Sequence, residues 1–163
     1  MKTGQTTRAF VACLMGLCVL ASPAAQARMR GDEQKVVKRI NALRASYGLE
    51  DVRADRKLAR AAGAHGRDML RGDFFAHSSS NGTSPFDRIR RYRNSRLVGE
   101  TLAYMPAGGR TSAGAVMNMW IDSPPHLGVL TTARFRRVGI DKRRGTLYGQ
   151  KVTIWTADLS SRR

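Results

Sequence analysis

Apolar residues recur at helical spacing through most of the chain and gather in short β-prone runs near its end. Val36, Val37, Ile40 and Leu43 share one helical stripe, while Lys35, Lys38, Arg39 and Arg44 fill the other face. This predicts an amphipathic helix that opens near Asp32 and stops at Gly48. Leu58, Ala62, His65 and Met69 form a second stripe, which predicts a helix capped by Asp55 and running to about Arg71, with Gly72 after it. Gly63 and Gly66 weaken that helix and leave room for another element to pack close. Phe74 and Phe75 then enter the core ahead of His77 and the polar turn from Ser78 to Thr83.

Ser84-Pro85 predicts a short third helix with proline in its first turn. Its buried side is expected to be Phe86, Ile89 and Tyr92, and its wet side Asp87, Arg88, Arg90 and Arg91. Leu97 to Ala103 reads as a short extended stretch. A fourth helix is expected from about Thr111 to Asp122, carrying Val116, Met119 and Trp120. Ser123-Pro124-Pro125 stops it, because proline cannot continue a helix, and His126 falls just past the stop. Arg137–Ile140, Gly145–Tyr148 and Lys151–Leu159 read as three strands. Helices first and strands last give an α+β fold, with helices packed on a mainly antiparallel sheet. No repeat or linker divides residues 28–163, so one domain is expected.

Residues 1–27 change the compartment. Lys2 and Arg8 precede an apolar stretch from Ala9 to Leu20, and Ala25-Gln26-Ala27 is a small-x-small cleavage site. These are the parts of a signal peptide cut after Ala27, with an h-region too short to span a bilayer. The protein is therefore expected to be exported, to a periplasm or outside the cell, with no transmembrane segment in the mature chain. Cys13 and Cys18 are the two cysteines and both lie in the leader, so the mature protein is expected to be free of disulfides. A monomer is expected.

Charge adds a partner class. Lys and Arg number 29 against 12 Asp and Glu, a net +17. Such a surface attracts polyanions, anionic lipid among them. The arginines are scattered rather than gathered in one run, so the simpler reading is a solvated basic surface. They form no reading helix, and specific nucleic-acid recognition is not expected.

The candidate chemistry rests on His77, Glu100 and His126. Glu100 is bracketed by Val98 and Leu102, and a carboxylate among apolar neighbours needs a partner or a shifted pKa. Two imidazoles and a carboxylate suit zinc. They equally suit a hydrogen-bonded brace between the Ser78 loop, the Glu100 strand and the Pro125 turn. His65, on an apolar face, reads as a hydrogen-bonded core residue. Trp120, Trp155 and the two phenylalanines could line a pocket but are the usual stuff of cores. No Gly-x-Ser-x-Gly or His-Glu-x-x-His motif is present, and the mature chain offers no cysteine nucleophile.

In order, the chain carries Asn41 and Arg44; Ala62, His65, Asp68 and Met69; Phe74, Phe75, His77 and Ser78; Gly99 and Glu100; Trp120, Ser123, Pro124 and His126; and Val138, Gly139 and Ile140. This ordered set resembles the CAP superfamily of cysteine-rich secretory proteins, antigen 5 and plant pathogenesis-related proteins. It is most similar to the bacterial, cysteine-free SCP-like (YkwD-like) branch. The resemblance implies an α–β–α sandwich with a cleft, which in eukaryotic members contains two His and two acidic residues able to hold a divalent metal. His77 and Glu100 match one cleft His and one cleft Glu. The second acidic position falls on Ser123, with Asp122 beside it. The late-strand His position offers Tyr148, and His126 belongs to the Ser-Pro-x-His motif of bacterial members. Thr101 stands where the family usually has Asn.

Three readings stay open on the sequence. One is an exported binding module for a lipid or sterol-like ligand. A second is a metal-assisted hydrolase acting on peptides or cell-wall material. The third is a basic envelope protein held at anionic surfaces.

Overall fold

The computed structural model describes residues 31–162. The expected leader, its cleavage site and both cysteines lie outside the described residues. Among the described residues, five helices and four strands follow in the order α1 (Gly31–Ser46), β1 (Arg53–Ala54), α2 (Arg56–Arg71), α3 (Pro85–Tyr92), β2 (Val98–Pro106), α4 (Ala113–Ile121), α5 (Pro124–Leu130), β3 (Phe135–Leu147) and β4 (Gln150–Ser161). The strands form one sheet in the order β1-β3-β4-β2. Only the two-residue β1 runs parallel to its neighbour; the β2–β4 and β3–β4 pairs are antiparallel.

Local chemistry sets the helix ends. The Asp55 carboxylate accepts the amides of Lys57 and Leu58 at 2.8 and 3.1 Å and so caps α2. Ser84 accepts the Asp87 amide at 3.1 Å and Pro85 opens α3. Gly48, at φ +66, follows the last turn of α1 in the left-handed conformation that glycine adopts without strain.

Helices cover both faces of the sheet. On one face α1 and α4 bury Val36, Ile40, Val116, Met117 and Trp120 against Ile140, Trp155, Ala157 and Leu159. Burying each such large side chain contributes about 1.5–3 kcal/mol. On the other face α2 and α3 pack Leu58, Met69 and Ile89 over Val98, Leu102, Val152 and Ile154. The result is an α–β–α sandwich. Gly139 shows how closely α2 lies on β3: a Cβ there would stand 2.0 Å from the Ala59 amide nitrogen. Gly63 and Gly66 likewise admit the Asp141 carboxylate of β3.

Two motif residues, Asn41 and Arg44, tie α1 to the sheet's end. Asn41 exchanges two hydrogen bonds with the Val52 backbone, at 2.9 and 3.0 Å. Arg44 is fully buried and donates to the carbonyls of Glu50, Leu130, Thr132 and Phe135. Its five donors suit it to gather carbonyls from three separate segments.

Several elements differ from the pattern-based expectation. The two late strands before Tyr148 are one long β3, which turns into β4 through Tyr148 and Gly149, both at positive φ. Proline does end α4, but Pro124 and Pro125 also open α5, where their missing N–H groups cost nothing. His126 therefore sits in a helix and not in a loop. On α3, Phe86 is exposed and Arg88 is buried, the reverse of the expectation. Phe74 and Phe75 are only half-buried.

Candidate functional site

The chain between α2 and α3 is a loop held from below. The neutral His65 imidazole, buried on α2, donates its Nε2–H to the Ala76 carbonyl at 2.8 Å. Burial lowers its pKa, so it stays uncharged. The Phe75 amide donates to the Tyr148 hydroxyl at 2.9 Å, and the Phe75 ring meets Tyr104 edge-on at 4.8 Å. Tyr148, at the late-strand position the resemblance singles out, thus anchors this loop. These bonds deliver His77 to the edge of the sheet, half-exposed.

His77 Nδ1–H donates to Glu100 Oε1 at 2.8 Å. Glu100 comes from β2, on the face that α2 and α3 cover, and is almost wholly buried. Its other oxygen, Oε2, accepts Arg88 Nη2 in a buried ion pair. Arg88 also donates Nη1 to the His77 carbonyl at 2.9 Å and to Ser79 Oγ at 3.0 Å. One guanidinium thus holds the carboxylate and the loop that carries the imidazole.

A second acid stands behind Glu100. Asp158 is its register partner on β4, so the two carboxyl groups leave the sheet side by side. Asp158 is fully buried. Burial raises its pKa well above the usual carboxylate value, and the Glu100 charge raises it further, so Asp158 is the neutral acid of the pair. For Glu100 burial also pushes upward, but the His77 hydrogen bond and the positive charge of Arg88 outweigh it and the pKa is lowered. The hydrogen bond to Glu100 is also the main cause raising the His77 pKa, against a smaller opposing effect of burial.

The remaining predicted residues lie apart from this chain of contacts. His126, in the first turn of α5, is half-buried with Nδ1 unpartnered. Burial lowers its pKa, and the His77 charge lowers it further. Asp122 is exposed at the C-terminal end of α4, and Ser123 precedes α5 without a side-chain capping bond. Trp120 is fully buried and donates its indole N–H to the Leu102 carbonyl at 3.2 Å.

A groove opens beside the pair. β2 is an outer strand, and along it α3 and α5 leave a cavity of about 630 Å³. Pro85, Phe86, Leu97, Val98, Pro125, Val129 and Phe135 give it apolar walls, while His77 and Glu100 supply its acid–base groups. Gly99 lies in its floor, where a Cβ would meet the Phe135 ring at 2.8 Å. His126, Asp122 and Ser123 do not line it.

As metal ligands the predicted trio fits poorly. Both oxygens of Glu100 are engaged, one by an imidazole N–H and one by a guanidinium. A cation at that carboxylate would face the positive charge of Arg88. Among the described residues no three His, Cys, Asp or Glu side chains converge as a metal-ligand group.

Sequence reasoning missed Arg88 and Asp158. The signal for Arg88 was present: Pro85, Arg88, Ile89 and Tyr92 share a helical face. Asp158 sits in the uncharged, β-prone run from Val152 to Ser161, where a lone carboxylate is itself a flag.

The Cysteine-rich secretory protein family model matches residues 37–158. The uncharacterized protein YkwD of Bacillus subtilis (strain 168) is 30% identical over 125 residues, covering 76% of this chain. The chain spans about 45% of that relative's length. An outer surface protein from Borrelia burgdorferi superposes with a TM-score of 0.67 at 23% identity, covering 81% of this chain and 93% of that one. An SCP-domain extracellular protein from Bacillus anthracis str. Ames also superposes with a TM-score of 0.67 at 23% identity, covering 81% of this chain and 41% of that one. With its ordered motifs, its sandwich and the match over most of its length, the chain belongs to the cysteine-rich secretory protein (CAP) family.

Proposed function

We propose that this is an exported binding module whose groove takes an acyl lipid with an anionic head. The observation that carries the reading is the groove itself: apolar walls from α3, β2 and α5, with His77 and Glu100 as its acid–base groups. Its volume of about 630 Å³ falls in the range of roughly 300–1,000 Å³ common for ligand sites. The charge at the His77 end favours an anion. Arg88 balances the ionised carboxylate of Glu100 and Asp158 is neutral, so protonation of His77, which its hydrogen bond to Glu100 favours, leaves that end positive. With Nδ1 given to Glu100, the His77 Nε2 is left for the head group.

Arg88 does here what a bound cation would do: it holds Glu100 ionised and in place. Binding is therefore independent of zinc. Export rests on the leader in residues 1–27. The strongly basic balance of the chain, +17 over the full sequence with only Lys2 and Arg8 of it in the leader, suits work at an anionic envelope surface.

The test is native mass spectrometry of the protein purified from its own export compartment, before and after delipidation. The reading expects a co-purifying acyl lipid that leaves on delipidation and returns when palmitate is added. A protein that is lipid-free as isolated and ignores palmitate contradicts it.

A further inference from the structure

The basic residues are scattered along the sequence, yet the fold gathers four of them. A cavity of about 330 Å³ is lined by Arg53, Arg136, Arg137, Arg162, Glu50 and Asp51, none of which lines the cleft. Two features of the sheet build it. β1 runs parallel to β3 with Arg53 opposite Arg137, so both side chains leave the sheet on the same face. A register shift between Phe135 and Arg137 marks a bulge. The bulge lets consecutive residues, Arg136 and Arg137, face one cavity, which a regular strand forbids.

Like charges set opposite one another on a sheet repel. Elsewhere this fold relieves its arginines internally: Arg88 pairs with Glu100, Arg93 with Asp55 and Arg143 with Asp141. In the cavity Arg136 is committed to Glu50 at 2.9 Å and to the Phe135 carbonyl at 2.8 Å. Among the described residues, neither Arg53, Arg137 nor Arg162 has a carboxylate within ion-pair distance. Asp55, the residue after β1, is taken by Arg93 and by the α2 cap. Glu50 and Asp51 offset only two of the four charges.

We propose that this cavity binds a phosphate-type oxyanion, as free phosphate or phosphoester or as the phosphate of a lipid head group. Guanidinium forks match phosphate oxygens two at a time, and an oxyanion between Arg53 and Arg137 turns their repulsion into a shared contact. Glu50 fixes Arg136 as the cavity's wall.

The experiment is a calorimetric titration of inorganic phosphate into the full protein and two variants. One is Arg53→Ser/Arg137→Ser. The other, Lys38→Ser/Arg39→Ser, removes the same charge from the exposed face of α1. Thermal melts check that both variants stay folded. The expected result is saturable one-site binding that falls about tenfold or more in the first variant and stays near wild type in the second. Equal weakening in the two variants, or no saturable binding by the wild type, overturns the site. Sedimentation with phosphatidylcholine vesicles containing phosphatidylglycerol separates the sources. Retention lost only in the Arg53/Arg137 variant assigns the lipid head group. Site-dependent phosphate binding without such retention assigns a soluble phosphoester.

Discussion

Arg88 and Glu100 form an ion pair with both side chains nearly sealed from water, 7% and 1% exposed. Removing one partner of a buried pair strands the other charge, at a cost of about 3–5 kcal/mol. Arg88→Met is expected to lose about that much in urea unfolding. Arg88→Met/Glu100→Met is expected to lose much less than the two single changes added together, because neither charge is left alone. Additive losses would mean that the two groups do not depend on each other.

His77 should titrate above the ordinary 6.5, because its hydrogen bond to Glu100 favours the imidazolium. A raised folded-state pKa contributes stability that is fully present below pH 6.5 and lost as pH rises through the folded value. Glu100 has a lowered pKa, so its contribution is present above pH 4.5 and is lost as pH falls through the folded value. The pair is therefore expected to be strongest between these limits. Proton NMR of the imidazole checks the claim: the His77 midpoint should drop in Glu100→Gln, and an unmoved midpoint would refute the coupling.

Asp158 makes the opposite pH prediction. Its folded-state pKa lies well above 3.8, so it costs the fold stability as pH rises from 3.8 upward. Asn in its place cannot ionise. Relative to wild type, Asp158→Asn should gain more stability at pH 7 than at pH 4. Unfolding curves at the two pH values that differ by the same amount in both proteins would show that Asp158 is not the neutral acid.

Gly139→Ala tests the contact that seats α2. The added Cβ would fall 2.0 Å from a backbone nitrogen, which no rotamer change can relieve. Overpacking usually costs about 1–3 kcal/mol, and this site should reach or pass the upper figure in thermal or urea unfolding. A variant as stable as wild type would mean that α2 rides higher on β3 than the structure has it.

These tests also mark where the sequence was readable. The capped helices and the β-rich end were legible because Asp55, Ser84-Pro85 and Val138-Gly139-Ile140 act locally, through capping bonds, fixed φ and close packing. His77 and Glu100 stood out because polar groups beside apolar elements need an explanation. Arg88 was misread because charge alone suggested the wet side of α3, while its partner lay on another element. α5 was hidden because Pro124-Pro125 serves both as a stop and as a start. The apolar groove was out of reach, since its walls come from α3, β2, α5 and β3 and meet only through the tertiary fold.

On the proposed reading, the groove beside His77 and Glu100 holds an anionic acyl lipid without a metal. The most direct measurement is a palmitate titration of delipidated protein by calorimetry, with and without EDTA, beside Val129→Trp and His77→Ala. Val129→Trp fills the groove and should abolish binding. His77→Ala removes the group that meets the head and should weaken it about tenfold, as loss of a charge-assisted hydrogen bond does. EDTA should change nothing. Equal affinity in all three proteins, or binding that disappears with EDTA, would rule out a metal-free lipid groove.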